Sequence, residues 1–190
     1  MKTIKSNLEN TLIIKNSKFI TYIYKINSID ISSYLDNIKR IHPKATHYTY
    51  AYIYNDIKKC SDDSEPSNTA GSPMLNVLEK EELNNILVIT VRYFGGIKLG
   101  AGGLIRAYTK SVTETLKNSE FTNLIQGYKV KLEFDYNLEK QINYIVGEEN
   151  IIEKSFDDKI TYIVNISKEN INKLNIEYEI LEEILIEKDA

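Results

Sequence analysis

The spacing of apolar residues predicts alternating strands and helices in the first half of the chain. Residues 11–15 and 18–26 are rich in Ile, Phe and Tyr, with a short polar break between them, and this pattern is typical of a hairpin or a bent strand. Residues 30–41 carry apolar side chains at the i, i+3, i+4 and i+7 positions of a helix, and Pro43 follows where that helix would end. We therefore expect a strand pair and then a helix.

A strictly alternating segment follows at His47–Tyr54, with the sequence HYTYAYIY. Its four tyrosines share one face of a predicted strand, and the other face carries His47, Thr49, Ala51 and Ile53. A row of tyrosines is able to stack nucleobases. Packing against helices is the more common use of such a row. His47 is a candidate general base, but a histidine on an alternating strand is more often structural.

The next segment, 56–72, has no periodic apolar residues and predicts a long loop, and loops of this length are usually functional or disordered. Ser72 and Pro73 then form the start signal of a helix, with Ser72 as N-cap and Pro73 at the first helical position. A continuous apolar run at 86–94 predicts a buried strand. A helix with one apolar face is expected from about 103 to 118.

The order of predicted elements after residue 125 is strand, helix, strand, strand, helix, strand. This βαββαβ order is the ferredoxin-like plan. We therefore predict an α+β protein with two domains, residues 1–125 and residues 126–190. The six predicted segments of the second domain are 128–136, 138–146, 151–156, 160–166, about 169–176, and 180–187.

Charge is distributed unevenly between these two parts. Residues 1–125 hold 16 Lys and Arg against 12 Asp and Glu, whereas residues 126–190 hold 8 against 15, so the formal net charge changes from +4 to −7. The asymmetry predicts different partners for the two parts, and the acidic part would suit a basic protein. The total of −3 argues against indiscriminate nucleic-acid binding but leaves room for a local basic site.

Several features predict a protein of the cytoplasm. The chain has no run of 18 apolar residues, so no membrane span is expected, and its N-terminal segment lacks the apolar core of a signal peptide. Cys60 is the only cysteine, which excludes an internal disulfide and argues against a Cys/His zinc site. We expect a reducing compartment, no metal site and no cofactor.

The glycines concentrate between the buried strand and the helix after it, where five of the eight in the chain lie. Such a loop favours anion binding, because glycine admits close backbone approach and the helix N-terminus supplies N–H groups and partial positive charge. Nearby Lys and Arg side chains would add full charges. The alternative is that the glycines only permit tight turns and close packing. The predicted site comprises Arg92, Gly95, Gly96, Lys98, Gly100, Gly102, Gly103 and Arg106.

Formal nucleotide motifs fail in this loop. A phosphate loop of the GK[ST] type requires Ser or Thr after the lysine, but Lys98 is followed by Leu99. A dinucleotide fingerprint that uses Gly100 and Gly102 requires a third glycine where Ile105 stands. The loop therefore does not point to a mononucleotide or a dinucleotide.

Three carboxylates in the long loop, Asp62, Asp63 and Glu65, allow three interpretations. They could hold a divalent cation or act as acid and base, or they could be solvated. They could also pair with Arg92, Lys98 or Arg106 and thereby position the glycine-rich loop. We call the segment that carries these carboxylates the acidic loop. Their spacing fits no EF-hand, which argues against a metal site. Ser67 and Thr69 lack an evident His/Asp relay for nucleophilic catalysis.

Three segments carry a family resemblance. DDSEPSNTAGSPML at 62–75, VRYFGGIKLGAGGLIRAY at 91–108 and ATHYTYAY at 45–52 closely resemble the signature of the YigZ/IMPACT family. The match is highly specific and covers the whole N-terminal domain. Ser64 and Asn68 stand where the family usually has glycine, and Asn tolerates a left-handed backbone more readily than Ser.

The resemblance implies an N-terminal domain like the second domain of a small-subunit ribosomal protein and domain IV of elongation factor G. It implies a ferredoxin-like C-terminal domain similar to the last domain of that factor. Eukaryotic members of the family are translation regulators that act through an additional domain. By this analogy we expect a cytoplasmic RNA- or ribosome-associated protein that modulates translation through the glycine-rich loop. The alternative is an enzyme that acts on a small phosphorylated or carboxylated substrate with an Asp or Glu base; the sequence favours binding over catalysis and leaves the oligomeric state open.

Overall fold

The computed structural model describes residues 1–188, and the chain divides after Asn123 into two compact units. Both units mix helices and strands, so the fold class is α+β, as the sequence predicts. The division lies inside one long strand, β7 (Phe121–Phe134). A short N-terminal strand, β1 (Lys2–Ile4), pairs antiparallel with the first three residues of β7.

The first unit is built on a five-stranded antiparallel sheet. Its central strand is β6 (Ile86–Tyr93), which is buried from Ile86 to Arg92. This burial on both faces is expected because helices cover both sides of the strand. The strand order is β2–β3–β6–β4–β5, with β2 at Leu8–Ile14, β3 at Ser17–Lys25, β6 at Ile86–Tyr93, β4 at His47–Tyr54 and β5 at Ile57–Ser61.

Two separate apolar clusters form on the two faces of this sheet. On one face, α2 (Gly71–Lys80) and α3 (Ala101–Leu116) contribute Met74, Leu78, Leu104 and Val112 to a cluster with inward side chains of the strands. On the other face, α1 (Ser32–Ile41) covers a second cluster. The tyrosines of β4 belong to this second cluster, with Tyr52 buried and the other three half-buried. The packing interpretation of the tyrosine row is therefore confirmed.

The predicted loop at 56–72 was wrong in its first part, because β5 (Ile57–Ser61) pairs with β4 there. This strand lies at the edge of the sheet and its first three residues are exposed, so it carries no apolar periodicity. Ser72 is not the N-cap of α2. The helix begins at Gly71, and the hydroxyl of Ser72 instead donates a hydrogen bond to Asn68 Oδ1 at 3.1 Å.

The second unit has the element order β–α–β–β–α–β. After β7 its elements are α4 at Glu139–Val146, β8 at Ile151–Phe156, β9 at Ile160–Ser167, α5 at Lys168–Ile171 and β10 at Tyr178–Glu187. Its antiparallel sheet has the strand order β10–β7–β9–β8, and its core gathers side chains from the sheet and from both helices. The second helix is shorter than the predicted segment 169–176, because the chain passes from α5 into i+3 turns at Lys173 and Leu174.

Among residues 1–188, no helix combines the length and the apolar character needed to cross a membrane.

Candidate functional site

A buried ion pair joins the end of β6 to the loop that follows β5. Arg92 Nη1 lies 2.6 Å from Glu65 Oε1, and the two residues are only 4% and 7% exposed. The same carboxylate oxygen accepts a hydrogen bond from the hydroxyl of Tyr108 on α3, at 2.8 Å. Burial, and secondly the negative charge of Glu65, raise the pKa of the Tyr108 phenol far above its ordinary value, so this hydroxyl stays a donor.

His47, at the start of β4, completes this buried group. Its Nδ1 lies 2.8 Å from the carbonyl oxygen of Asp63, and a carbonyl only accepts, so Nδ1 carries the proton. Its Nε2 then faces Glu65 Oε2 at 3.8 Å. The sequence-predicted residues His47, Glu65 and Arg92 are thus brought together.

The three carboxylates of the acidic loop turn toward three different partners. Asp62 Oδ1 accepts from the backbone N–H groups of Ala70 and Gly71, at 3.0 and 2.8 Å, and its Oδ2 accepts from the N–H of Asn68 at 2.8 Å. Asp62 therefore caps α2 from a distance. Asp63 Oδ2 accepts from the backbone N–H of Tyr48 at 2.6 Å. Each carboxylate holds the loop in place through its own contacts.

The structure gives the positions of the candidate metal ligands and hydroxyl nucleophiles of the acidic loop. In the part of the chain that the structure describes, no three His, Cys, Asp or Glu side chains converge on a position for a metal ion. Thr69 is buried and its hydroxyl donates to the carbonyl of Pro66 at 2.6 Å, while Ser67 is exposed. The hydrogen bonds of Asp62, Asp63 and Thr69 thus fix the backbone of the loop that carries Glu65.

The first residues of the glycine-rich loop, directly after β6, are fixed by hydrogen bonds and by close backbone packing. The N–H of Phe94 donates to Thr46 Oγ1, and the N–H of Gly95 donates to Ser17 Oγ, each at 3.1 Å. A Cβ at Gly95 would overlap the backbone of Asn16 in the β2–β3 turn, so only glycine fits there. Gly96 and Gly100 have φ angles of +82° and +70°, which glycine adopts without strain. At these positions the glycines serve turns and close packing.

The loop ends at the N-terminus of α3, where no side chain of residues 1–188 caps the helix. Gly100 is the N-cap residue, and the residues Ala101 and Gly102 that follow it are exposed. The guanidinium of Arg106 lies over this first turn, because its Nη1 is 3.5 Å from the position that a Cβ on Gly102 would occupy. Lys98 is also exposed. N–H groups and two cationic side chains are therefore offered to solvent at the same end of one helix.

Arg92 lies apart from these exposed cations. Its buried guanidinium has Glu65 as its close partner, Ser17 Oγ as a weaker contact at 3.4 Å from Nη2, and an Nε without a partner among the described residues. This pairing follows the interpretation in which the acidic loop positions the basic one.

Sequence reasoning missed Ser17 and the hydroxyl of Tyr108. In the predicted helix 103–118, Tyr108 lies on the apolar face with Leu104 and Val112. A buried tyrosine hydroxyl needs a hydrogen-bond partner, and this rule was the available signal. Ser17 gave no signal, because its role depends on the pairing of β3 with β6.

Comparisons with known proteins place the chain in a family. A family model described as the Impact N-terminal domain matches residues 15–116. The chain belongs to the IMPACT family, whose model covers more than half of it. A relative in Haemophilus influenzae, named IMPACT family member, is 34% identical over 172 residues, which span 86% of this chain and 84% of that protein.

Two further relatives and one solved structure extend the comparison. The Bacillus subtilis IMPACT family member YvyE is 45% identical over 120 residues, covering 61% of this chain and only 55% of that protein. The Escherichia coli IMPACT family member YigZ is 32% identical over 141 residues, covering 71% and 69%. A crystal structure of a hypothetical protein aligns with a TM-score of 0.71 at 25% identity, covering 95% of this chain and 97% of that one. The similarity of folds thus extends over both units.

Proposed function

We propose that the protein binds RNA phosphate, alone or on the ribosome, through the loop 94–103 and the first turn of α3, and that it modulates translation in the cytoplasm by this contact. The observation that carries the proposal is the uncapped N-terminus of α3 with Arg106 lying over it. Free N–H groups and the helix dipole favour an anion at this position. The match to the Impact N-terminal domain supports the link to translation, since the family resemblance of the sequence implies translation regulators among the eukaryotic members.

The proposal gives the predicted site residues two different roles. Lys98 and Arg106 are exposed and would contact phosphate directly, with Arg offering two parallel N–H donors. Gly100 and Gly102 would let the phosphate approach the backbone. Arg92 would support the loop from inside through Glu65, because its guanidinium is buried.

The test is a salt titration of binding to single-stranded RNA and to ribosomes. Two phosphate contacts predict a slope of log K against log salt of about −1.4, and removing either cation should lower its size by about 0.7. Lys98→Ala and Arg106→Ala are the variants. Lys140→Ala removes the same charge from the exposed face of α4 and is expected to bind like the wild type. Equal binding and equal slopes for all four proteins would overturn the proposal.

The rival function is an enzyme that acts on a small phosphorylated or carboxylated substrate. Its candidate bases both carry intramolecular partners, since Glu65 accepts from Arg92 and Tyr108, and the Asp63 carboxylate accepts from the N–H of Tyr48. An enzyme of this kind predicts saturable stabilisation by a small anion, following RT ln(1 + [L]/Kd). A thermal-shift series with phosphate, nucleotides and phosphorylated metabolites separates the two functions, because the proposed one requires a polymer for tight binding.

We also infer that the second unit is ferredoxin-like. Its element order and its strand order β10–β7–β9–β8 support this, and its acidic composition supports a basic protein partner for it. A pull-down that compares the full chain with residues 1–125 would test the partner: capture by the full chain alone supports it.

A further inference from the structure

Phe94 is a large apolar side chain that the fold leaves open to solvent. It follows β6 directly, at the entrance to the glycine-rich loop, and 47% of it is exposed. A ring of this size gains free energy when it is covered, so an exposed ring at a fixed position leaves apolar surface available to a ligand. Ile97 in the same loop is exposed to nearly the same extent, at 46%.

The ring of Phe94 lies against the guanidinium of Arg92, which is held in a buried ion pair. The guanidinium carbon of Arg92 lies 5.5 Å from the centroid of the Phe94 ring and 5.4 Å from that of Phe19. Arg92 is held in turn by its buried ion pair with Glu65. A guanidinium close to an aromatic ring is attracted by the π-electrons of the ring. This attraction is stronger for a buried guanidinium, because water does not screen its charge.

The backbone on both sides of the ring is fixed as well. The N–H of Phe94 is bonded to Thr46 Oγ1, and the next N–H, of Gly95, is bonded to Ser17 Oγ. Gly95 also packs against the Asn16 backbone without room for a side chain. The Phe94 ring is therefore held in place before a ligand binds. The protein loses little conformational entropy when a ligand covers the ring.

Charge decides which ligand suits this ring. The exposed cations Lys98 and Arg106 belong to the same loop and the helix that follows it, so the surroundings favour a polyanion over an apolar peptide. Single-stranded nucleic acids are bound by this combination, in which a basic surface follows the phosphates and an aromatic ring stacks on an unpaired base.

We propose that Phe94 is a stacking platform for an unpaired nucleobase of single-stranded RNA, whose phosphate lies at the N-terminus of α3. This inference rests on the proposed function and deepens it, because it adds a contact that distinguishes a polynucleotide from any other polyphosphate. It also restricts the ligand to unpaired segments, since the bases of a duplex stack on one another and leave no face for the ring.

The experiment compares two ribose–phosphate octamers of equal charge, one carrying adenine at every position and one abasic. The wild type should bind the adenine octamer roughly five- to hundred-fold more tightly, the range that stacking on one aromatic ring provides. Phe94→Leu keeps an apolar side chain but removes the ring, so it should bind both octamers with the affinity that the wild type has for the abasic one. Phe156→Leu changes a phenylalanine of β8 that is 54% exposed, and this variant should bind like the wild type.

A second variant makes the contact directly observable. The natural chain contains no tryptophan, so Phe94→Trp introduces a single indole at the platform. Its fluorescence should be quenched by the adenine octamer and not by the abasic one. This readout also decides the matter if Phe94→Leu fails to fold.

Each outcome separates the inference from the function on which it rests. If the wild type and Phe94→Leu bind both octamers equally and with the salt slope of phosphate contacts, stacking is overturned and phosphate binding stands. If neither octamer binds the wild type, both are overturned. If the Phe94→Leu variant, folded as judged by urea unfolding, loses the abasic octamer too, or if the indole is not quenched, Phe94 shapes the loop or serves a protein partner instead.

Discussion

Glu65 and Arg92 stand 27 positions apart in the chain, yet their side chains meet at 2.6 Å in the interior of the first unit. Glu65 belongs to the acidic loop, and Arg92 ends the strand from which the glycine-rich loop starts. One buried contact therefore joins the two loops that carry the most distinctive sequence segments. Tyr108 brings α3 into the same contact, so a strand, a loop and a helix depend on one carboxylate oxygen.

The first prediction concerns the stability of this ion pair. Arg92→Met should lower the free energy of unfolding by about 3–5 kcal/mol, because it leaves the Glu65 carboxylate buried without its positive partner. The double variant Glu65→Leu/Arg92→Met should recover much of that loss, since no unpaired charge is left inside. Urea unfolding of the two variants and the wild type measures both effects.

A surface pair supplies the control for this prediction. Lys58 and Glu79 are also close, at 2.9 Å, but both side chains are exposed, so Glu79→Gln should change the free energy of unfolding by no more than about 1 kcal/mol. Equal losses for Arg92→Met and Glu79→Gln would contradict the role given to the buried pair.

The second prediction concerns two residues of the acidic loop that adopt a left-handed backbone. Ser64 and Asn68 have φ angles of +63° and +61°, at positions where glycine would be free of strain. Ser64→Gly should raise the free energy of unfolding by about 0.5–1 kcal/mol, since relief of roughly 1–2 kcal/mol of strain exceeds the entropy cost of glycine. Asn68→Gly should bring no gain, because Asn tolerates this conformation and its Oδ1 accepts from Ser72. Urea midpoints compare the two, and a loss of stability in Ser64→Gly would refute the strain argument.

The third prediction separates glycines that are required by space from those that are not. Gly95→Ala should destabilise the first unit by at least about 2 kcal/mol or displace its loop, since the new methyl group would overlap the Asn16 backbone. Gly102→Ala should be neutral or stabilising by up to about 1 kcal/mol, because its Cβ would meet only the guanidinium of Arg106 at 3.5 Å and alanine favours a helix. Thermal unfolding checks both, and similar melting temperatures for the two variants would show that the close approach at Gly95 is not limiting.

The fourth prediction concerns the pH dependence of stability through His42. This imidazole lies between the hydroxyls of Tyr22 and Tyr93, at 2.7 and 3.0 Å, and burial lowers its pKa below 6.5, with Lys18 adding to the effect and Glu9 opposing it. Burial raises the pKa of Tyr22 to about 12, so that hydroxyl stays neutral in the relevant range. The unfolded chain binds the His42 proton more tightly than the folded one. Stability from this group is therefore complete above pH 6.5 and is lost as the pH falls through the folded-state pKa.

His42→Gln tests this dependence. The variant should have a flatter profile of unfolding free energy between pH 7 and pH 5 than the wild type. The other histidine, His47, is present in both proteins, so the difference between the two profiles isolates His42. Parallel profiles would exclude a contribution from His42.

The central parts of the fold could be predicted from the sequence because their causes are local. The continuous apolar run predicts the buried strand β6, and the alternation of HYTYAYIY predicts β4 with its tyrosines on one face. The edge strand β5 could not be predicted in this way, because two lysines and an exposed isoleucine begin it and its partner is another strand. The cap of α2 was also beyond local rules, since the carboxylate that accepts from Gly71 belongs to Asp62, nine positions earlier.

In the candidate site, too, features with local causes could be predicted and features that depend on distant contacts could not. Its residue types and its two loops could be chosen from the sequence, and the exposed positions of Lys98 and Arg106 agree with a surface role. The burial of Arg92 could not be foreseen, because an arginine that flanks a glycine-rich loop is indistinguishable in sequence from its neighbour Arg106. Strand register decides it: pairing with Phe19 and His47 on the two adjacent strands encloses Arg92 in the sheet.

The two-residue turn between β2 and β3 has a consequence for engineering the chain. Lys15 and Asn16 both have a left-handed backbone. The tip of a hairpin ordinarily accepts inserted residues, affinity tags or the new termini of a circular permutant. Here the backbone of Asn16 lies directly against Gly95. An insertion at this turn would therefore alter the shape of a loop almost eighty positions away along the chain, and labels intended to be silent belong elsewhere.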